Sequence, residues 1–189
     1  ESATPTWKRT DVDNRLLMLA GSSLASLNDG TKGAMFTMGM GGLHDFVAPW
    51  YVRWTLETQI GYRVRDSEPV LTEATGEAEH SGHTYAKLGL PVTAGFVIRS
   101  TNYDIRLGAG WSIAVTGRSG TPEAAVPHGP AAEYEFVIRD AVPYPYRRYD
   151  FAGDLGLYAR FEYQLGNLGP RREPRGPLFS VGFAVHPRP

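Results

Sequence analysis

The stretch NYDIRLGAGWSIAVTG, residues 102–117, separates into two unlike faces when every second residue is kept. The odd positions read Tyr103, Ile105, Leu107, Ala109, Trp111, Ile113 and Val115. The even ones read Asp104, Arg106, Gly108, Gly110, Ser112, Ala114 and Thr116. A period of two marks an extended strand, whose side chains point alternately to its two sides. One face is greasy throughout and the other is charged, small or polar. The fold therefore turns on which face meets water.

The same period recurs along the chain. From Trp50 to Val64 the even positions are Trp50, Val52, Trp54, Leu56, Thr58, Ile60, Tyr62 and Val64, set against Arg53, Glu57 and Arg63 on the other side. TYAKLGLPVTAGFVI (84–98), AEYEFVIRD (132–140), YDFAGDLGLYARFEYQL (149–165) and LFSVGFAVH (178–186) alternate likewise. GAMFTMGMGG (33–42) is a weaker strand, and RLLMLAGSSLASL (15–27) is apolar on both faces, which leaves its phase open. That makes eight. The linking segments include NDGT, a loop over 66–82, a Pro/Gly-rich loop over 119–131 and NLGPRREPRG at one end, with HDFVAP, STN and AVPYPYRR at the other. Long strands, antiparallel and even in number, hide their edges best by closing into a barrel. The expectation is an all-β, antiparallel, up-and-down eight-stranded β-barrel over 15–187, preceded by a tail over 1–14.

Composition narrows the classes. The chain has 189 residues and a formal net charge of −1, so it carries no electrostatic footprint for nucleic acid. It has no cysteine, which excludes disulfides and thiol chemistry. No run of about 18 apolar residues is present, so no transmembrane helix is expected. The opening ESATPTWKRTDVDN reads as a processed N-terminus, and the tail is placed on the periplasmic side.

Three features put lipid, rather than a bound ligand, against the greasy face. Gly39, Gly41, Gly61, Gly89, Gly95, Gly108, Gly110, Gly156 and Gly182 all fall on the polar face, with Gly42 and Gly153 the exceptions. Glycine weakens an exposed strand but makes room for bulky charged neighbours inside a narrow lumen. The polar face also nearly balances its charge. Glu57, Asp104, Glu133, Glu135, Asp150, Asp154 and Glu162 stand against Arg53, Arg63, Lys87, Arg106, Arg139 and Arg160, and ions confined together must pair. Finally, Trp50 and Tyr62 bracket one strand, while Tyr149 and Phe151 with Phe161 and Tyr163 bracket another. Twelve tilted residues span roughly 28 Å, near the height of an apolar band between aromatic girdles. Trp111 is assigned to the same lipid-facing set. The barrel is expected to be transmembrane.

Tyr85, Leu90 and Pro91 in TYAKLGLPVTAGFVI, followed by Tyr103, Gly108, Gly110 and Trp111 and by the closing FSVGFAV, resemble the motifs of OmpA-like and PorT-like outer-membrane β-barrels. The resemblance runs over about residues 15–187 and implies a bacterial outer-membrane location and a scaffold or small-pore role, with no catalytic residues. The chain departs from it at His186-Pro187-Arg188-Pro189, where such barrels end on an aromatic residue.

Little else carries chemistry. His80 and His83 with Glu77 and Glu79 have a spacing open to a metal, but they lie in a polar loop where solvated histidine is the plainer reading. His80-Ser81 is open to a hydrolase, without a supporting second motif. Arg171, Arg172 and Arg175 form a basic cluster suited to lipopolysaccharide phosphates. The expected protein is no enzyme, takes no cofactor or metal, and anchors or scaffolds among other envelope proteins through a side-chain-filled lumen. The alternatives are a soluble lipocalin-like barrel around an apolar ligand and a barrel-embedded lipid hydrolase.

Overall fold

The computed structural model describes residues 13–46, 49–65, 81–142, 152–170 and 173–188. They form ten strands: β1 (Asp13–Ser26), β2 (Thr31–Asp45), β3 (Trp50–Arg65), β4 (Ser81–Arg99), β5 (Tyr103–Arg118), β6 (Thr121–Ala125), β7 (Pro127–Val142), β8 (Ala152–Gln164), β9 (Gly166–Asn167) and β10 (Gly176–Arg188). Eight are long staves, each antiparallel to its neighbours around the ring β1-β2-β3-β4-β5-β7-β8-β10. The ring closes where β10 pairs with β1, from Met18 opposite Val185 to Ala25 opposite Leu178. Tight turns join the staves where the sequence allows positive φ, as at Gly30 (φ 81°) in the β1–β2 turn.

The Pro/Gly-rich segment 119–131, expected to be a loop, is instead strand. Gly120, at φ 78°, reverses the chain so that β6 pairs back onto the end of β5. β7 then takes over beside β5 from His128 opposite Ile113. Pro127 disguises this, yet it is the first residue of β7, where a missing N–H is tolerated. β9 extends the same edge by pairing with Pro127 and His128.

The registers fix the shape. A row of paired residues leads from Arg15 through Leu43, Arg53, Thr93, Gly110, Ala131, Glu162 and Leu178 back to Ala25, ten residues further along β1. With eight staves, that stagger corresponds to a strand tilt of about 40° and a lumen only wide enough for side chains. Pro91 marks its place in the ladder. The β4–β5 pairing runs through it without a break, whereas the β3–β4 pairing skips from Trp54–Val92 to Glu57–Gly89, as a residue lacking an N–H requires.

The phase of β1, open in the sequence, is set by these registers: Arg15, Leu17, Leu19, Ser23 and Ala25 face inward and Leu16, Met18 and Leu24 outward. The interior therefore holds two apolar clusters besides its charges. Leu17, Leu19, Leu43, Tyr51, Val97, Tyr158 and Ala184 pack near the end where β1 begins, and Ala25, Met35, Tyr85 and Leu178 near the end where it finishes. Two tyrosine hydroxyls reach paired glycines. A Cβ on Gly108 would fall 2.5 Å from Tyr51 Oη, and one on Gly21 would fall 2.8 Å from Tyr158 Oη. At these two positions the missing Cβ makes room for a tyrosine hydroxyl.

Candidate functional site

The candidate site is the lumen. Parity sends the charged face of each stave inward, so Arg53, Glu57, Arg63, Lys87, Asp104, Arg106, Glu133, Glu135, Asp154, Arg160 and Glu162 are all buried. Arg139 is half-buried at the rim, and Asp150 lies outside the described residues.

From the middle of the barrel outward, the charges form connected layers. Arg160 on β8 donates from Nη1 to Glu57 Oε1 at 2.6 Å and from Nη2 to Glu57 Oε2, while its Nε reaches Glu162 Oε1 at 3.0 Å. Lys87 Nζ holds the other oxygen of Glu162 at 2.8 Å, and Thr55 Oγ1 donates to Glu57 at 2.5 Å. Below this, Glu135 accepts from Arg106 Nη1 at 3.0 Å, lies 3.4 Å from Arg53 Nη1 and meets His186 Nε2 at 2.8 Å. Glu133 accepts from Thr93 Oγ1 at 2.5 Å and from Tyr51 Oη at 3.4 Å, with Arg53 Nε 3.8 Å away. At the end where β1 begins, Arg139 binds Asp104 at 2.5 Å, Arg99 binds Asp45 at 2.6 Å and Arg15 binds Asp154 at 3.3 Å. At the opposite mouth Arg63 Nη1 donates to Glu173 Oε2 at 3.1 Å, its guanidinium stacked 3.4 Å from the centre of the Tyr85 ring.

Ion pairs stretched across a narrow bore leave small gaps. A cavity of about 10 Å³ between Lys87, Ser112, Glu162 and Gln164 has room for one water. Buried carboxylates and guanidiniums in such contact offset one another's desolvation and lock the staves together. Among the described residues no group of three His, Asp or Glu is placed to hold a metal.

The outer face is the reverse of the lumen. Leu56, Ile60, Leu88, Val92, Leu107, Val115, Leu157 and Phe183 are exposed, Leu56 to 46% and Phe183 to 57%, whereas Arg106 and Arg160 are 1% exposed. Water would not tolerate an apolar surface that encircles the molecule, so hydrocarbon must cover it. A soluble barrel closing on an apolar ligand is thereby excluded, since what it would present to that ligand is charge. Trp50 and Tyr62 face outward near opposite ends of β3, and Phe161 and Tyr163 lie outward near the end of β8. Trp111 also faces outward, but at mid-strand, stacked on His128 with ring centroids 5.8 Å apart; it belongs to the belt rather than to a rim. Tyr149 and Phe151 lie outside the described residues. Near the start of β1, Trp54 Nε1 donates to His44 Nε2 at 3.1 Å, and His44 Nδ1 meets Asn14 Oδ1 at 2.7 Å. This polar chain sits on the outer surface at the edge of the belt.

No protein-family model matches the chain, and no curated protein matches it. Among solved structures, the chain is similar to Neisserial surface protein A (NspA), at TM-score 0.54 and 14% identity over 91% of this chain and 96% of that one. It also aligns with Ail, the attachment invasion locus protein of Yersinia pestis, at TM-score 0.44 and 14% identity over 94% of this chain and 98% of that one. The fold is a transmembrane β-barrel. At this identity the likeness to NspA speaks for the fold and nothing finer.

Five ion-paired residues of the lumen escaped the sequence reading: Arg15, Asp45, Arg99, His186 and Glu173. Asp45 and Arg99 continue the inward parity of β2 and β4 just past the segments assigned as strand, His186 closes the segment 178–186 on its inward parity, and Arg15 opens the segment 15–27 whose phase the sequence left open. Glu173 belongs to no strand, and nothing local to RREPR reveals that it turns into the mouth. Of that cluster, Arg175 is exposed and Arg171 and Arg172 lie outside the described residues, as do His80, Glu77 and Glu79. β4 opens at Ser81 and includes His83.

Proposed function

We propose that this protein is a structural and anchoring component of the bacterial outer membrane, of OmpA-like or PorT-like character, whose lumen is closed to solutes and which serves as a subunit of a larger envelope assembly. The observation that carries this reading is the inversion of the barrel: hydrocarbon-compatible side chains outside, and ion pairs spanning the bore inside. A bore blocked by Arg160–Glu57 and Arg106–Glu135 suits a membrane anchor better than a conduit. Catalysis is not part of the proposal. The basic cluster of Arg171, Arg172 and Arg175 is proposed to meet lipopolysaccharide phosphates, and other envelope proteins are the proposed partners.

The test has two arms. In planar bilayers the purified protein is expected to show no steady conductance; a stable open channel would overturn the closed-lumen reading. Cross-linking in native membrane is expected to capture defined envelope proteins, and recovery of the monomer alone would overturn the assembly role.

A further inference from the structure

We propose that the mouth at which β1 ends carries a site for a small oxyanion, carboxylate or phosphate, built on Arg63, and that Glu173 occupies it as an internal substitute. Arg63 is 6% exposed and makes its ion pair through Nη1 alone, while its Nε and Nη2 have no hydrogen-bond partner among the described residues. Arg160 engages Glu57 through both prongs of its fork, and Arg53, whose Nε and Nη2 also lack a hydrogen bond, still has the Glu133 carboxylate 3.8 Å from Nε. In Arg63 the Nε–Nη2 edge, the one that matches two oxygens of a carboxylate or phosphate, is left over. Tyr85 fixes the plane of the group by stacking on its face, which leaves the in-plane donors directed for binding.

Glu173 suits the part of a displaceable occupant. Every other buried carboxylate of the lumen among the described residues rides on a strand, where the ladder holds it in place. Glu173 alone comes from the connection between β9 and β10, and it also accepts a 3.3 Å hydrogen bond from Thr116 Oγ1. Its backbone neighbour Arg175 is tied to the β1–β2 turn by the bond from Asn28 N to Arg175 O, which keeps Glu173 near the mouth. Arg118, which ends β5, and Arg175 are exposed at this same end and would draw an anion toward it. An incoming oxyanion would take both free prongs of Arg63 as the Glu173 carboxylate swings out, with no net change in the charge buried.

A tethered carboxylate competes at an effective concentration of order millimolar. Removing its charge should therefore unmask the site. The experiment is calorimetric titration of inorganic phosphate, and separately of acetate, into the full chain folded in neutral detergent. Glu173→Gln is expected to bind at least one of the two ions at least tenfold more tightly than the wild type. Adding Arg63→Gln to that variant is expected to abolish the gain. Equal affinity of Glu173→Gln and wild type for both ions, or a gain that persists without Arg63, overturns the proposal. Should the double variant fail to fold, Glu173→Gln/Arg63→Lys decides. It keeps the charge without the fork, and at least fivefold weaker binding than Glu173→Gln supports the site while equal binding overturns it. Repeating the titration in vesicles with and without an anionic phospholipid separates the sources: competition by the lipid identifies a headgroup phosphate, and its absence a free ion.

Discussion

Arg160 and Glu57 stand on opposite staves of the barrel, four strands apart by either route, and meet in a two-pronged contact across the lumen. They are 103 positions apart in the chain. Each is 1% exposed, so the pair works in surroundings where an unpartnered ion is costly. Replacing Glu57 by Gln, or Arg160 by Gln, is expected to destabilise the barrel by about 3–5 kcal/mol, the usual cost of stranding one partner of a buried pair. Replacing both by methionine is expected to cost clearly less than the sum of the two single changes. Urea unfolding in vesicles, followed by tryptophan fluorescence and gel mobility, measures all of these.

Charge at the rim should matter less than charge in the bore. Asp104 is shared by Arg139, whose side chain is 28% exposed, and by Arg106, whose side chain is 1% exposed. Arg139→Gln is expected to cost no more than about 1 kcal/mol, because water screens that pair. Arg106→Gln is expected to cost several times as much, since it deprives Glu135 and Asp104 of a buried cation together. Comparable losses for the two variants in the same unfolding assay would contradict the layering of the lumen.

The approach of Tyr51 to Gly108 makes a prediction of shape. At Gly108→Ala the new methyl would sit 2.5 Å from Tyr51 Oη but 3.3 Å from Tyr51 Cζ and 3.4 Å from the Ala94 carbonyl. Overpacking of that kind costs about 1–3 kcal/mol. Tyr51→Phe removes the offending oxygen, so the double variant is expected to recover most of the loss. A double variant no better than Gly108→Ala alone would mean that the Tyr51 hydroxyl is not what fills the space beside that glycine.

The outer face is tested by depth. Leu56, near the middle of β3, is 46% exposed, and Trp50 begins that strand at 60%. Leu56→Arg is expected to lower the stability of the barrel refolded in bilayers by about 2–4 kcal/mol, and Trp50→Arg by about 0–1 kcal/mol from the charge itself, since the penalty for a cation falls toward the interface. Equal penalties at the two depths would argue against lipid contact along β3.

What could be read in the chain followed from periodicity. Alternation over 50–64, 84–98 and 102–117 is a local property, so it specified strands, their number as staves and the opposed character of their faces without reference to partners. It faltered where local signals conflict: Pro127 and Gly129 hid the start of β7, and leucine on both faces of residues 15–27 hid the phase of β1.

Residue order alone thus determined the strands and their opposed faces, because a period of two needs only neighbouring residues to express itself, and the glycines, balanced charges and aromatic brackets gave the outward sense of the greasy face. Which ion meets which was decided by closure. The ten-residue stagger accumulated around eight strands sets the height of every side chain on the barrel wall, bringing Arg160 level with Glu57 and His186 with Glu135. Glu173 at the mouth is the extreme case: no ladder carries it, and its place depends on the path of a connection that only the assembled barrel supports.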